Sequence, residues 1–194
     1  KMNPDAIIIP INKGVVPPSK ILNQNLFDFE QASQSAGWIK ELNEEHVPET
    51  DEYGISSFVY RRKRPFHPER WNAWLSEFPQ EIIRSKGFFW LATRNKMAGL
   101  LSQAGNSLQF QGAGYWIAAL SKAEQRQVMA EDETIASRWD DVHGDRQTEM
   151  VWIGLDMDRD EIEAQLDECL LTNEEMNSDW TTLTDPLPAF VAAN

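Results

Sequence analysis

Eight tryptophans in 194 residues constrain this chain more than any other feature, because several of them fall in segments whose apolar spacing already implies a secondary structure. Each large aromatic ring buries on the order of 150 to 250 Å². At about 25 cal/mol per Å² such rings supply tens of kcal/mol of gross burial before conformational entropy is subtracted. The chain therefore folds around a core, and its rings belong to that core unless several prove exposed. Trp71, Trp74, Leu75 and Phe78 repeat at three and four residues, which is one face of a helix. Pro68 suits the first turn of that helix and Glu69 its positive end. Gly87 to Thr93 gathers Phe88, Phe89 and Trp90 into one apolar run, the pattern of a strand at a sheet centre or covered on both faces.

The remaining pattern fills in around these two segments. Ile55 to Tyr60 reads as a strand. Met97 to Ala104 and Leu108 to Ile117 flank Gly105-Asn106, a dipeptide suited to a tight hairpin. Leu108, Phe110 and Gly112 alternate with Gln109, Gln111 and Ala113, as in a half-buried strand. Residues 121 to 146 are polar and acidic and read as an insertion with one or two short helices. Thr148 to Leu155 returns to strand character. Asp158 then caps a helix with Ile162, Leu166 and either Cys169 or Leu170 on one face, and Glu161 gives it a capping-box-like start. The succession of strand, helix, three strands, acidic insertion, strand and helix predicts an α+β fold. It has an antiparallel sheet of about four to five strands with helices packed mainly on one face, the strand order left open.

Upstream, Ile7 to Ile11 reads as a short strand followed by a turn cluster at Gly14 to Ser19 and a short helix over Ser19 to Asn23. Residues 33 to 43 read as a helix with Ala32, Ala36, Ile39 and Leu42 near one face, and residues 43 to 52 as an exposed connection. Residues 177 to 194 hold two prolines and no period, so an irregular tail over the surface is expected.

Charge and ligand counting exclude several functions. The net charge of −13 argues against nucleic acid as the main partner. It is unevenly spread, however: residues 53 to 96 carry nine Lys or Arg against three acids, and residues 119 to 180 carry five against eighteen. Arg61-Arg62-Lys63-Arg64 is a basic cluster at the end of a strand, where an edge or local carboxylate pairs are the ordinary role. A single cysteine rules out an internal disulfide and fits a reducing compartment, so a cytoplasmic location is expected. No apolar run approaches the roughly 20 residues needed to cross a bilayer, so no membrane role is expected. A P-loop needs a Gly-rich turn, a Lys and a Ser or Thr, and no segment supplies them. Gly14-Val15-Val16-Pro17-Pro18-Ser19-Lys20 lacks the second Gly, and its prolines remove N–H groups a phosphate cradle would use. Asp156, Asp158 and Asp160 mimic the start of a calcium loop, but Glu161 stands where the loop requires Gly. His46, His67, His143 and Cys169 are too scattered for paired zinc ligands. His67 at a helix start and His143 in a polar loop are the weak metal candidates, each more ordinarily a structural residue. No nucleophile and base pair supports catalysis.

Five motifs occur in order: Arg64-Pro65-Phe66-His67-Pro68-Glu69-Arg70, Lys86-Gly87-Phe88-Phe89-Trp90-Leu91-Ala92, Gly144-Asp145-Arg146, Val151-Trp152-Ile153-Gly154 and Leu166-Asp167-Glu168-Cys169-Leu170-Leu171-Thr172. Together they resemble the C-terminal domain of the CobW-like P-loop GTPases that handle metals. The resemblance implies an accessory, non-catalytic domain of a cytosolic metallochaperone, and the chain reads as a fragment. On this reading residues 1–30 are the residual tail of a GTPase domain and 31–52 a linker helix and connection. Residues 53–176 are then the C-terminal domain and 177–194 an irregular tail. GTP, magnesium and zinc, or cobalt, are implied for the parent protein, their sites lying outside this chain. The partners implied are the GTPase domain of the same polypeptide and a metalloprotein client. Arg61, Arg62, Arg64, Asp145 and Arg146 are the interface candidates. The competing expectation is a stand-alone interaction domain with no metal role.

Overall fold

The computed structural model describes residues 6–26 and 54–190, and the chain divides into two units, Lys1–Val47 and Pro48–Asn194. In the first unit the expected strand over Ile7 to Ile11 is absent, its isoleucines standing exposed in irregular chain. Among the described residues that segment has no strand to pair with. A lone bridge between Asn12 and Val15 closes a turn at Lys13 and Gly14. The expected Ser19 to Asn23 helix is a single 3-10 turn over Pro18–Lys20, closed by the Lys20 N–H to Pro17 O and the Ile21 N–H to Pro18 O. The helix expected at 33–43, the connection at 43–52 and His46 lie outside the described residues.

The second unit is built on five antiparallel strands: β1 (Ile55–Arg62), β2 (Ile82–Phe89), β3 (Met97–Ala104), β4 (Ser107–Tyr115) and β5 (Thr148–Leu155). Their order is β1-β5-β2-β3-β4, so β5 arrives last yet inserts between the first two strands. β2 lies at the sheet centre, as its aromatic run predicts, but the strand is displaced from the apolar stretch. It begins at Ile82, through the polar Arg84, Ser85 and Lys86, and ends at Phe89. Trp90 to Ala92 leaves the sheet to pair with the chain around Phe66, where Phe66 donates to Trp90 O and Ala92 donates to Phe66 O. Pairing on both sides carries the polar half of β2 into the sheet, an effect that no local pattern reveals.

Two helices close one face. Helix α1 (Pro68–Ser76) buries Trp71 and Leu75, and its Trp74 meets Trp152 of β5 edge to face at 5.5 Å. Trp71 stacks on Phe66 with ring centroids 4.3 Å apart. The insertion forms α2 (Lys122–Glu131) and α3 (Glu133–Arg138), as its weak periodicity suggests. Helix α4 (Arg159–Glu168) adds Ile162 and Leu166 to the same core as α1, and Cys169 follows it there. The inward row Phe58, Trp152, Ser85, Gln103, Leu108 and the row Tyr60, Met150, Gly87, Leu101, Phe110 floor this core. Trp71, Trp90 and Trp152 are fully buried, so the core reading of the rings holds for them. A smaller cluster of Trp90, Ala98 and Trp116, with Trp180 against it, forms where β2 ends and β3 begins.

Apart from α1, whose N-cap His67 makes no side-chain cap bond, helix starts are capped by short polar side chains. Asp158 accepts from the Glu161 N–H, but Glu161 does not complete a box and binds Gln165 instead. The two complete boxes are Ser121 with Glu124 and Thr172 with Glu175, the latter opening α5 (Asn173–Met176). In its described part, residues 177–190, the tail holds a 3-10 turn over Trp180–Thr182 and is tied down. Leu187 enters the core, Phe190 meets Phe89 at 5.9 Å, and Asp185 takes a two-pronged ion pair from Arg94.

Candidate interaction surfaces

The basic cluster at the end of β1 is split by strand alternation, which sends neighbours to opposite faces. Arg61 points away from the core and meets Glu149 at 2.8 Å in an exposed pair. Arg62 turns inward. Its guanidinium grips both Asp167 oxygens at 2.7 and 2.8 Å, reaches Glu163 at 3.2 Å, and lies 4.5 Å over the Tyr60 ring. Tyr60 donates its hydroxyl to the same Asp167, and burial together with that carboxylate pushes the phenol far above its ordinary range. Lys63 reaches Asp140 at 3.2 Å, while Arg64 donates to Leu171 O and Asn173 Oδ1. Four consecutive cations thus go to four separate sets of acceptors, each distant in sequence.

Gly144, Asp145 and Arg146 form a braced loop beside the smaller cluster. Gly144 sits at φ +72°, and a Cβ there would come 2.4 Å from the Ala118 Cβ, so only glycine fits. Asp145 accepts from the Ile117 and Ala118 N–H groups at 2.8 and 2.9 Å, capping the 3-10 turn Ile117–Ala119. Arg146 donates to Asn95 O and His143 O, and burial lowers its pKa from the ordinary value.

Neither histidine has the company of a metal site. His67 precedes α1, gives its N–H to Cys169 O and accepts from Trp71 N. The residue is 8% exposed, and Nδ1 is buried without a hydrogen-bond partner among the described residues. Burial, then the neighbouring Arg70 charge, lowers its pKa below the ordinary value, which keeps the ring neutral. Burial also pushes the Cys169 thiol up to about 11, so it is no ready thiolate. His143 packs edge-on against Trp90 at 5.2 Å. Among the described residues no group of three or more His, Cys, Asp or Glu stands close enough to hold a metal ion, so a zinc site does not fit them.

The face of the sheet opposite the helices is the surface that residue-by-residue site hunting missed. Its outward positions form three rows across the strands: Arg61, Glu149, Phe88, Leu100, Gln111; then Val59, Val151, Lys86, Ser102, Gln109; then Ser57, Ile153, Arg84, Ala104. Phe88 is 49% exposed and Val151 39% exposed, so nothing in the described chain covers the middle of this face. A signal for it existed in the apolar residues at both parities of Phe88-Phe89 and Val151-Trp152-Ile153, which suit a strand covered on both sides. Among the described residues no helix is long and apolar enough to cross a membrane.

Three comparisons bear on this geometry. Residues 55–170 match the family model described as the cobalamin synthesis protein CobW C-terminal domain. The chain is 39% identical over 193 residues to the zinc-regulated GTPase metalloprotein activator 1 of Dictyostelium discoideum, covering 96% of this chain and 40% of that protein. A zinc chaperone of Mycobacterium tuberculosis is 33% identical over 135 residues, covering 68% of this chain and 34% of its own length. Among solved structures, the Zn(II)-bound YjiA GTPase of E. coli aligns over 65% of this chain and 33% of its own, at 16% identity and a TM-score of 0.43, too distant to carry an argument. The chain thus spans well under half the length of the curated relatives it matches.

Proposed function

The chain belongs to the CobW C-terminal domain family, and from that premise we propose that it serves as the contact lobe of a GTP-hydrolysing zinc chaperone. The observation that supports this most is the similarity to the Dictyostelium activator, which runs through nearly the whole chain yet covers only two fifths of that relative. Nucleotide and zinc chemistry then belong to other parts of the parent polypeptide, with zinc as cargo. Zinc is favoured over cobalt because the Dictyostelium activator and the mycobacterial chaperone are both named for zinc. The lobe's task is to couple nucleotide state to metal delivery by contacting the GTPase portion or a metalloprotein client in the cytoplasm. In this reading Arg61, the most exposed of the candidates, touches the partner directly. Arg62, Arg64, Asp145 and Arg146 hold the local shape that the partner meets.

The test is reconstitution. The GTPase portion of the parent gene, expressed separately, is mixed with this chain, and docking, GTP turnover and zinc binding are measured for each part and for the mixture. The expected result is docking weakened by Arg61→Ala at an unchanged melting temperature, with turnover and tight zinc binding confined to the GTPase portion. GTP hydrolysis by this chain alone, or a parent gene without a P-loop, overturns the proposal.

A further inference from the structure

We propose that the open face of the sheet is a docking surface for an acidic amphipathic helix of a partner polypeptide. An antiparallel sheet with one solvated face ordinarily shows polar side chains on that face. Here Val59, Val151, Ile153, Phe88 and Leu100 all point outward, on four adjacent strands. Val59 stands opposite Val151, and Phe88 opposite Leu100. Neighbouring strands lie about 4.8 Å apart, so the apolar patch is roughly 15 Å wide, enough to seat one helix about 10 Å across.

Charge selects the kind of helix. Arg84 stands opposite Ile153, and Lys86 opposite Val151, two residues apart on the central strand and on the same face. Neither makes an ion pair or side-chain hydrogen bond with a described residue, in contrast to Arg61, Arg62, Lys63, Arg64, Arg70 and Arg94. A wholly apolar partner would strip water from two unpaired cations, at a cost that attraction does not return. A wholly acidic partner would leave Phe88 and Val151 wet. A helix with one apolar stripe bordered by Glu or Asp meets both demands. The inference depends on the sheet alone and stands whichever polypeptide supplies the helix.

The full 194-residue chain, isotopically labelled, is titrated with a synthetic amphipathic helical peptide of Leu and Glu and with its counterpart carrying Lys in place of Glu. The acidic peptide is expected to shift the signals of Val59, Phe88, Leu100, Val151 and Ile153. Its affinity should fall about tenfold or more in the Arg84→Glu/Lys86→Glu double variant and at high salt, and the basic peptide should not bind. Phe88→Ser, which alters no charge, should weaken binding as well, and the melting temperature of each variant checks its fold. Unmoved signals on this face, equal binding of both peptides, or occupation of the face by a second copy of the chain, seen as a concentration-dependent dimer, overturns the proposal.

Discussion

The two faces of this sheet share the same strands, the same backbone and the same alternation, yet they lead opposite lives. The inner face carries Trp152, Tyr60, Met150 and Phe89 and is closed by α1 and α4, whereas the outer face carries Val151, Phe88 and Leu100 and is open among the described residues. Apolar character alone therefore does not say where the core is. What distinguishes the faces is company: inner side chains are surrounded by helix side chains.

The sharpest way to break that contrast is to truncate neighbours on one strand. Trp152→Ala removes a ring that touches Trp74 and Phe78, and should cost about 3 to 5 kcal/mol. Val151→Ala, one residue away on the open face, should cost less than about 1 kcal/mol. Chemical denaturation of both variants measures the difference. Similar losses would mean that the open face is packed after all.

Adjacent arginines give the same contrast in electrostatic form. Arg62→Ala breaks a grip shared by Asp167, Glu163 and the Tyr60 ring. It should cost about 1 to 2 kcal/mol, reduced from the full value of a buried charged pair because the side chain is still 32% exposed. Arg61→Ala removes only an exposed pair and should leave the unfolding midpoint unchanged. The outcome that reverses these two would reassign the faces of β1.

Acid offers a third probe, because two of its targets, His67 and Glu175, lie on the helix side of the sheet. The pKa of His67 lies below its ordinary value of 6.5, so the native state binds fewer protons there than the unfolded chain. Glu175, hydrogen-bonded by Arg70, is held at about 2 against an ordinary 4.5. Both shifts have one sign. Their stabilisation is complete above the ordinary values and is lost as pH falls. Stability should therefore decline first below about pH 6.5 through His67, then again between about 4.5 and 2 through Glu175. Urea midpoints measured across that range should show both steps, and Glu175→Gln should shrink the lower one, which Asp140, likewise held at about 2, shares.

Much of this fold was legible because local pattern and tertiary structure agree. The hairpin at Gly105-Asn106, the helix of Trp71 and Trp74, and the cap at Asp158 each state their structure within a few residues. Three features were not legible, for a common reason. The entry of β5 between β1 and β2, the start of β2 at Ile82 and the anchoring of the tail through Leu187 and Asp185 all depend on partners tens of residues away. The surface candidates fared likewise. Arg62 and Arg64 read as one basic cluster, and only the position of Asp167 and Leu171 shows that their charges are engaged internally. The open face escaped notice because its signal, apolar residues at both parities, is also the signal of a doubly covered strand.

The smallest expected effect concerns a polar atom on the closed face. Ser85 lies on the inner row between Trp152 and Gln103 and is 1% exposed, with no hydrogen-bond partner for its Oγ among the described residues. Gln103 spends its amide on Ile82 O and Gly105 O, and its Oε1 is equally unpartnered. A buried hydroxyl without a partner has given up its water for nothing, so its removal breaks no hydrogen bond and offsets the small packing loss. Ser85→Ala keeps the Cβ and takes away only that oxygen, so the void it leaves is small. The expected result is a melting temperature unchanged or slightly raised, the opposite of what a small deletion in a packed core ordinarily gives. A clear loss of stability would show that Ser85 and Gln103 are bridged by an internal water, which would make this row a polar seam within the core and narrow the contrast between the two faces.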